Sequence, residues 1–269
     1  MRVLALVIVL CGAAMPAWAD ARITVLMDAM RIPELTDVIR LEGLQDAEGL
    51  NADMLAGQGG ALWHNQVERL YDPSRMQDLL YLALQQGLDD AALDGCVAFF
   101  DTQRGQTITE LEIAARKAML DEAVQDAAAE TYRELSKDKD PHAGLVAAFV
   151  EANDLLELNV AITMSSSFQF YQGLADGRLL EMSESDILKD VWASENRLRE
   201  ESKDWINGYF LLAYQPLDLP DLEAYLAFSR SPAGVALNAA LFAGYEDVFR
   251  EVAYGLGRAV ALNASGNDI

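Results

Sequence analysis

Six carboxylates stand in two short runs that could do acid–base chemistry. Asp89, Asp90 and Asp94 make the first run, and Asp218, Asp221 and Glu223 the second. Paired carboxylates at a suitable separation hydrolyse glycosidic bonds, one as acid and the other as base or nucleophile. Each run also lies where a helix should start. There an acid caps free N–H groups and favours the positive end of the helix dipole. Capping accounts for all six without any reaction, so no catalytic residue is expected. A carboxylate-dependent hydrolase is the alternative from the enzyme class.

The remaining candidates are few. His64 precedes Glu68 by one helical turn, but two ligands do not make a metal site. His142 follows Pro141 in a charged stretch and is expected in solvent. Asp138 and Asp140 open like a calcium loop, yet Ala143 stands where that loop needs Gly, and Phe149 where it needs Glu. No nucleophile elbow of the G-x-S-x-G type occurs, and Ser165-Ser166-Ser167 reads as a packing patch or kink within a helix. Cys96 lies between Gly95 and Val97-Ala98-Phe99-Phe100 with no basic neighbour. It is expected to be a small buried hydrophobe rather than a nucleophile. Neither a metal nor a cofactor is expected.

The elements that must position these residues begin with a leader. Arg2 precedes a twelve-residue apolar run, Val3 to Ala14, and Ala17-Trp18-Ala19 supplies a small-x-small cleavage pattern. Cleavage is expected before Asp20, giving a periplasmic or secreted protein. The run is shorter than the roughly 20 residues a spanning helix needs, so no stable membrane insertion is expected. Cys11 raises lipidation, but the bulky Leu10 precedes it. Its removal with the leader leaves Cys96 alone, so the mature chain has no internal disulfide. Loss of Arg2 takes the formal charge from −23 to −24. So acidic a chain repels nucleic acid and anionic membrane surfaces.

Ala and Leu dominate, Glu, Gln and Met add further helix formers, and alternating β-branched runs are missing, which predicts an all-α multi-helix bundle. Ile108, Leu111, Ala115, Met119, Ala123 and Ala127 form one apolar stripe, predicting a long helix over 103–135. Ile187, Val191, Leu198, Trp205 and Tyr209 predict another over 183–209, opened by a capping box at Ser183 and Asp186. Gly87 should end a helix, with Asp89 or Asp90 capping the next. Gly57-Gln58-Gly59-Gly60 is read as a flexible linker. In the charged stretch Ser136 to Pro141, Asp140 is the expected N-cap and Pro141 the first helical residue.

The two halves resemble each other at a shift of 129 residues. Leu93 to Gly105 aligns with Leu222 to Gly234, Leu88-Asp89 with Leu217-Asp218, and Ile108 with Leu237. The expected organisation is a signal peptide over 1–19 and divergent helical repeats over 20–140 and 141–269. Within the second repeat, Phe228, Ser231, Pro232 and Gly234 spell a rigid corner. Ser231 before the proline leaves the helical region, its hydroxyl caps the next helix, and Gly234 permits close packing. Phe99, Thr102 and Gly105 reproduce this with Gln103 in place of proline.

The stretch Phe228 to Gly234 resembles the signature of exported bacterial proteins grouped as domain of unknown function 2059. There an aromatic, a Ser/Thr-Pro pair and a Gly sit between two helices. The resemblance is good over 217–250 and partial over 88–121, departing at Ser229 and at Gln103. It implies a periplasmic helical domain and carries over no catalytic residue. The expected role is therefore a non-enzymatic binding or scaffold protein. Its partner would be an envelope protein, or a small apolar ligand in a groove between the repeats lined by Phe149, Phe168, Phe170, Tyr171 and Trp192.

Overall fold

Residues 16–265 are described by the computed structural model, and among them there are thirteen α-helices and no strand. The first six are α1 (Pro16–Ala29), α2 (Ile32–Leu55), α3 (Gly60–Leu70), α4 (Pro73–Gly87), α5 (Asp90–Phe100) and α6 (Gln103–Ala118). A seventh, α7 (Glu122–Lys137), leads to α8 (Pro141–Ala152), α9 (Leu155–Asp176) and α10 (Glu184–Ala193). The chain ends on α11 (Glu195–Tyr214), α12 (Leu219–Ser229) and α13 (Pro232–Ser265). Residues 1–15 of the expected leader lie outside the described residues.

Side-chain caps start most of these helices. Asp72, Asp89, Asp121, Asp140 and Asp218 each accept from a backbone N–H in the first turn that follows. Pro73 and Pro141 occupy first positions, where no N–H is needed. The capping box at Ser183 and Asp186 is present. Two expected continuous helices are broken. The 103–135 segment stops at Ala118, because buried Met119 turns the chain inward and Asp121 caps a new start by accepting from Ala123 N–H at 2.9 Å. The 183–209 segment turns at Ser194, between α10 and α11. The stretch Gly57 to Gly60 is a tight turn rather than a flexible linker. Gly57 and Gly60 take positive φ, and Gly59 N–H donates to the buried Asn51 Oδ1 at 3.0 Å.

Helices α1–α6 and α8–α13 pack in the same order. Helix α1 lies on α2, α4 and α5, and α8 lies on α9, α11 and α12. Helix α2 contacts α4 and α6, as α9 contacts α11 and α13. Arg31 joins α1 to α2 with φ 53, and Asp154 joins α8 to α9 with φ 51. The sixth helix of each series crosses to the fourth of the other, so α6 lies on α11 and α13 on α4. One cluster of buried side chains thus draws on both halves, from Leu26 and Leu80 to Tyr214 and Leu237. A second gathers Trp63, Val67 and Met76 against Val252 and Val260 of α13. No helix among the described residues is long and apolar enough to cross a membrane.

The two corners are built alike and meet each other. Thr102 Oγ1 accepts from Gly105 N–H at 3.1 Å, and Ser231 Oγ accepts from Gly234 N–H at 3.2 Å. A Cβ on Gly105 would strike the backbone of Phe99 and Phe100, and one on Gly234 that of Phe228 and Ser229. The Phe99 and Phe228 rings stack at 4.2 Å. Arg104 reaches across to Asp221, while Ala233 carbonyl lies 3.5 Å from Cys96 Sγ. Cys96 is fully buried, and that burial pushes its thiol up to about 12.

Gly234→Ala is expected to cost about 2 kcal/mol or more, since the added carbon meets backbone that cannot step aside. Gln103→Pro should raise stability by a few tenths to about 1 kcal/mol. Thr102 already has φ −81 and ψ 159, which suits a residue before proline. Urea midpoints of the two variants test both statements.

Candidate functional site

A cavity of about 930 Å³ lies among α2, α6–α9 and α11–α13. Its floor is set by the corners, with Phe100, Phe228 and Gly234 in the lining. Phe149, Trp205, Tyr209, Phe210, Tyr225, Phe242 and Tyr245 form aromatic walls. Exposed lining residues mark the mouth: Asp126 and Arg133 on α7, and Glu201 and Asp204 on α11. This is the size and character of a small-molecule site, mostly apolar with a few placed polar groups.

The polar groups come mainly from α6. Glu112 follows Ile108 by four residues and precedes Ala115 by three, so the helix carries it inward on the same face. Tyr214 and Tyr225 hydroxyls both donate to its Oε1, at 2.6 and 3.2 Å. Tyr209 hydroxyl donates to the backbone carbonyl of Glu112 at 3.1 Å. Burial pushes the Glu112 carboxyl up to about 7, against the opposing pull of the two hydroxyls. The same burial raises the three tyrosines well above the ordinary phenol range. One turn on, Arg116 pairs with Glu42 of α2 at 2.6 Å, and its guanidinium lies 4.9 Å from the centre of the Trp205 ring.

Few of the expected site residues reach this place. Of the five aromatics assigned to an inter-repeat groove, only Phe149 lines the cavity. Phe170 packs into the second cluster, Phe168 is half-buried outside the cavity lining, Tyr171 is exposed, and Trp192 is 62% exposed. Helical spacing groups aromatics by face, and α9 and α10 present these to other neighbours. Ser166 does line the cavity, with a buried hydroxyl that has no partner.

The acidic runs are capping residues and surface ion pairs. Asp89 and Asp218 cap α5 and α12, Arg22 binds both Asp90 and Asp94, Asp221 meets Arg104, and Glu223 is exposed. His64 pairs with Glu48 of α2 at 3.0 Å rather than with Glu68. His142 is not free in solvent, because its Nε2 lies 2.8 Å from the Leu217 carbonyl. Among the described residues no three His, Cys, Asp or Glu gather as a metal site would require. The signal that could have exposed the true cluster is a carboxylate placed on an apolar stripe.

Comparison with known proteins gives one family. Residues 74–134 match the model of a family described as an uncharacterised protein conserved in bacteria, DUF2059. The matched stretch runs from α4 into α7 and takes in the first corner together with Glu112, Arg116 and the α7 side of the mouth. It is under a quarter of the chain, and it corrects the expectation: the match falls on the stretch where the resemblance was expected to be partial and does not reach Phe228 to Gly234, where it was expected to be good. No curated protein and no solved structure matches.

The Glu112 carboxyl should make stability depend on pH. Its folded pKa, about 7, is raised above the ordinary value of 4.5, so its contribution is fully present below about pH 4.5 and is lost as pH rises through 7. The loss amounts to about 3 kcal/mol at most. Glu112→Gln keeps an acceptor for the tyrosines and removes the titration. The variant should match the parent near pH 5 and exceed it near pH 8, as read from urea midpoints at both.

Proposed function

We propose that this is an exported, non-enzymatic protein that binds a small, largely apolar molecule in the cavity between two divergent copies of one helical unit. The observation that carries the binding reading is the cavity itself. At about 930 Å³ it is far larger than a packing defect, and interiors otherwise close to crystal density. Its aromatic walls suit an apolar ligand, and a carboxyl with no cation beside it, Glu112, is a group a packed core would avoid.

The repeat reading, with units over 20–140 and 141–269, is supported by the matched order of packing, the paired positive-φ junctions and the reciprocal crossing of α6 and α13. A residue meeting its own equivalent, as Phe99 meets Phe228, is the contact a two-fold axis produces. Export rests on the leader pattern over 1–19. Binding rather than catalysis is favoured because the candidate carboxylate runs are occupied as caps and ion pairs. A scaffold role toward an envelope protein has no comparable feature behind it.

An apolar fluorescent dye should bind the mature protein one to one and brighten. Leu241→Trp places a bulky ring on the cavity wall and should abolish that signal while the helical circular dichroism spectrum is unchanged. Undiminished dye binding by the variant would show that the cavity is not the site. Intact mass of protein recovered from the envelope fraction should begin at Asp20; retention of residues 1–19 would remove the export reading.

A further inference from the structure

We infer that the cavity takes an amphipathic organic cation, with its ammonium head at Glu112 and its hydrocarbon chain along the aromatic wall. This rests on the reading of the cavity as a ligand site and adds the ligand's charge.

Charge complementarity decides it. The cavity is lined by five acids and two bases, and both bases are already satisfied. Arg116 is held by Glu42 and Trp205, and Arg133 by Glu130 at 2.8 Å. Among the described residues no cation lies within ion-pair distance of Glu112, Asp126 or Asp204. An anionic amphiphile would pass three carboxylates at the mouth, of which Glu201 is paired with Arg197, and find both guanidiniums of the lining already paired. A cation is drawn by the mouth, and by a chain whose formal charge is −23.

Inside, the geometry suits an ammonium. Both tyrosine hydroxyls use Oε1 of Glu112, which leaves Oε2 for a ligand. Phe149, Tyr209 and Tyr225 supply aromatic surface on the same wall, and aromatic surface attracts a desolvated cation. A buried carboxyl with no counter-ion is costly, and a bound ammonium would remove that cost. The groups that interact with Glu112 are Tyr209 and Tyr214 on α11, Tyr225 on α12 and Tyr245 on α13, while Arg116, one turn along α6, is paired with Glu42 of α2. The tyrosines are all raised and stay neutral near pH 7, and Arg116 stays paired, so Glu112 is the interior group that titrates there.

The test is calorimetric titration of the mature protein with decyltrimethylammonium, decanoate and 1-decanol. At about pH 8 the ammonium should bind about ten-fold tighter than either control, and this advantage should shrink toward pH 6 as Glu112 takes up a proton. Glu112→Gln should bring the ammonium to the level of decanol, leave decanol binding unchanged and abolish the pH dependence. Asp204→Asn at the mouth should weaken the ammonium alone, in a manner that added salt masks. Decanoate binding as tightly as the ammonium, or an ammonium advantage that survives in Glu112→Gln, would overturn the cation assignment while leaving the cavity reading intact. Failure of all three probes, with the dye also unbound, would sink both.

Discussion

Everything in this molecule is built around the meeting of two helix corners. Gly105 and Gly234 allow each corner to fold back on its own preceding helix with no side chain between. That close turn brings Phe99 and Phe228 face to face at 4.2 Å and places Phe100 edge-on to Phe228 at 5.5 Å. Beyond the corners α6 lies on α2 and α11, and α13 lies on α9 and α4, so each helix joins the two halves of the chain. Neither half could bury its apolar face alone, which is why one core cluster draws on both. The exposed acids count for little in this arrangement, since exposed ion pairs contribute at most about 1 kcal/mol.

The cavity follows from the same crossing. The cavity lies among helices of both halves of the chain, and some of those helices are joined by close glycine contacts. On one side Gly173 and Gly257 bring the backbones of α9 and α13 together. On the other, a Cβ on Gly208 of α11 would press on the backbone of Ala128 and Ala129 in α7. Backbone-to-backbone contacts give way far less than side chains do, so α9 with α13, and α11 with α7, hold their spacing. Large-to-small changes in an ordinary core are costly because the site relaxes only in part.

Much of the frame was legible in the sequence because it depends on local chemistry. Asp89, Asp140 and Ser183 cap helices because a short polar side chain before an apolar stripe has few other uses. The corner at Ser231-Pro232 and its softer counterpart at Thr102 were readable for the same reason, as was the burial of Cys96. The breaks at Met119 and Ser194 were not. No proline or glycine marks them, and the apolar period runs on across both; the Asp121 cap is a local signal at the first, but it takes tertiary packing to make the chain turn there. The groove residues failed on a related ground. Periodicity says which residues share a face of α9 or α10, but not which neighbour that face meets, and Trp192 faces away from the cavity.

Glu112 shows how a site can hide in a helical stripe. Reading Ile108, Leu111, Ala115 and Met119 as apolar partners passes over a carboxylate that the 3.6-residue period carries inward with them. An acid at such a position is either an error of folding or a residue kept for a purpose, because burial makes its ionised form unfavourable. The molecule surrounds it with Tyr214 and Tyr225, one from each side of the turn between α11 and α12. Two hydroxyl donors lower the cost of ionisation without removing it, and burial still dominates. A fully neutralising partner was available in kind, since Arg116 lies one turn away, but Glu42 of another helix holds that guanidinium. The fold therefore separates a paired guanidinium from a carboxyl that has hydrogen bonds but no counter-ion within one turn of α6.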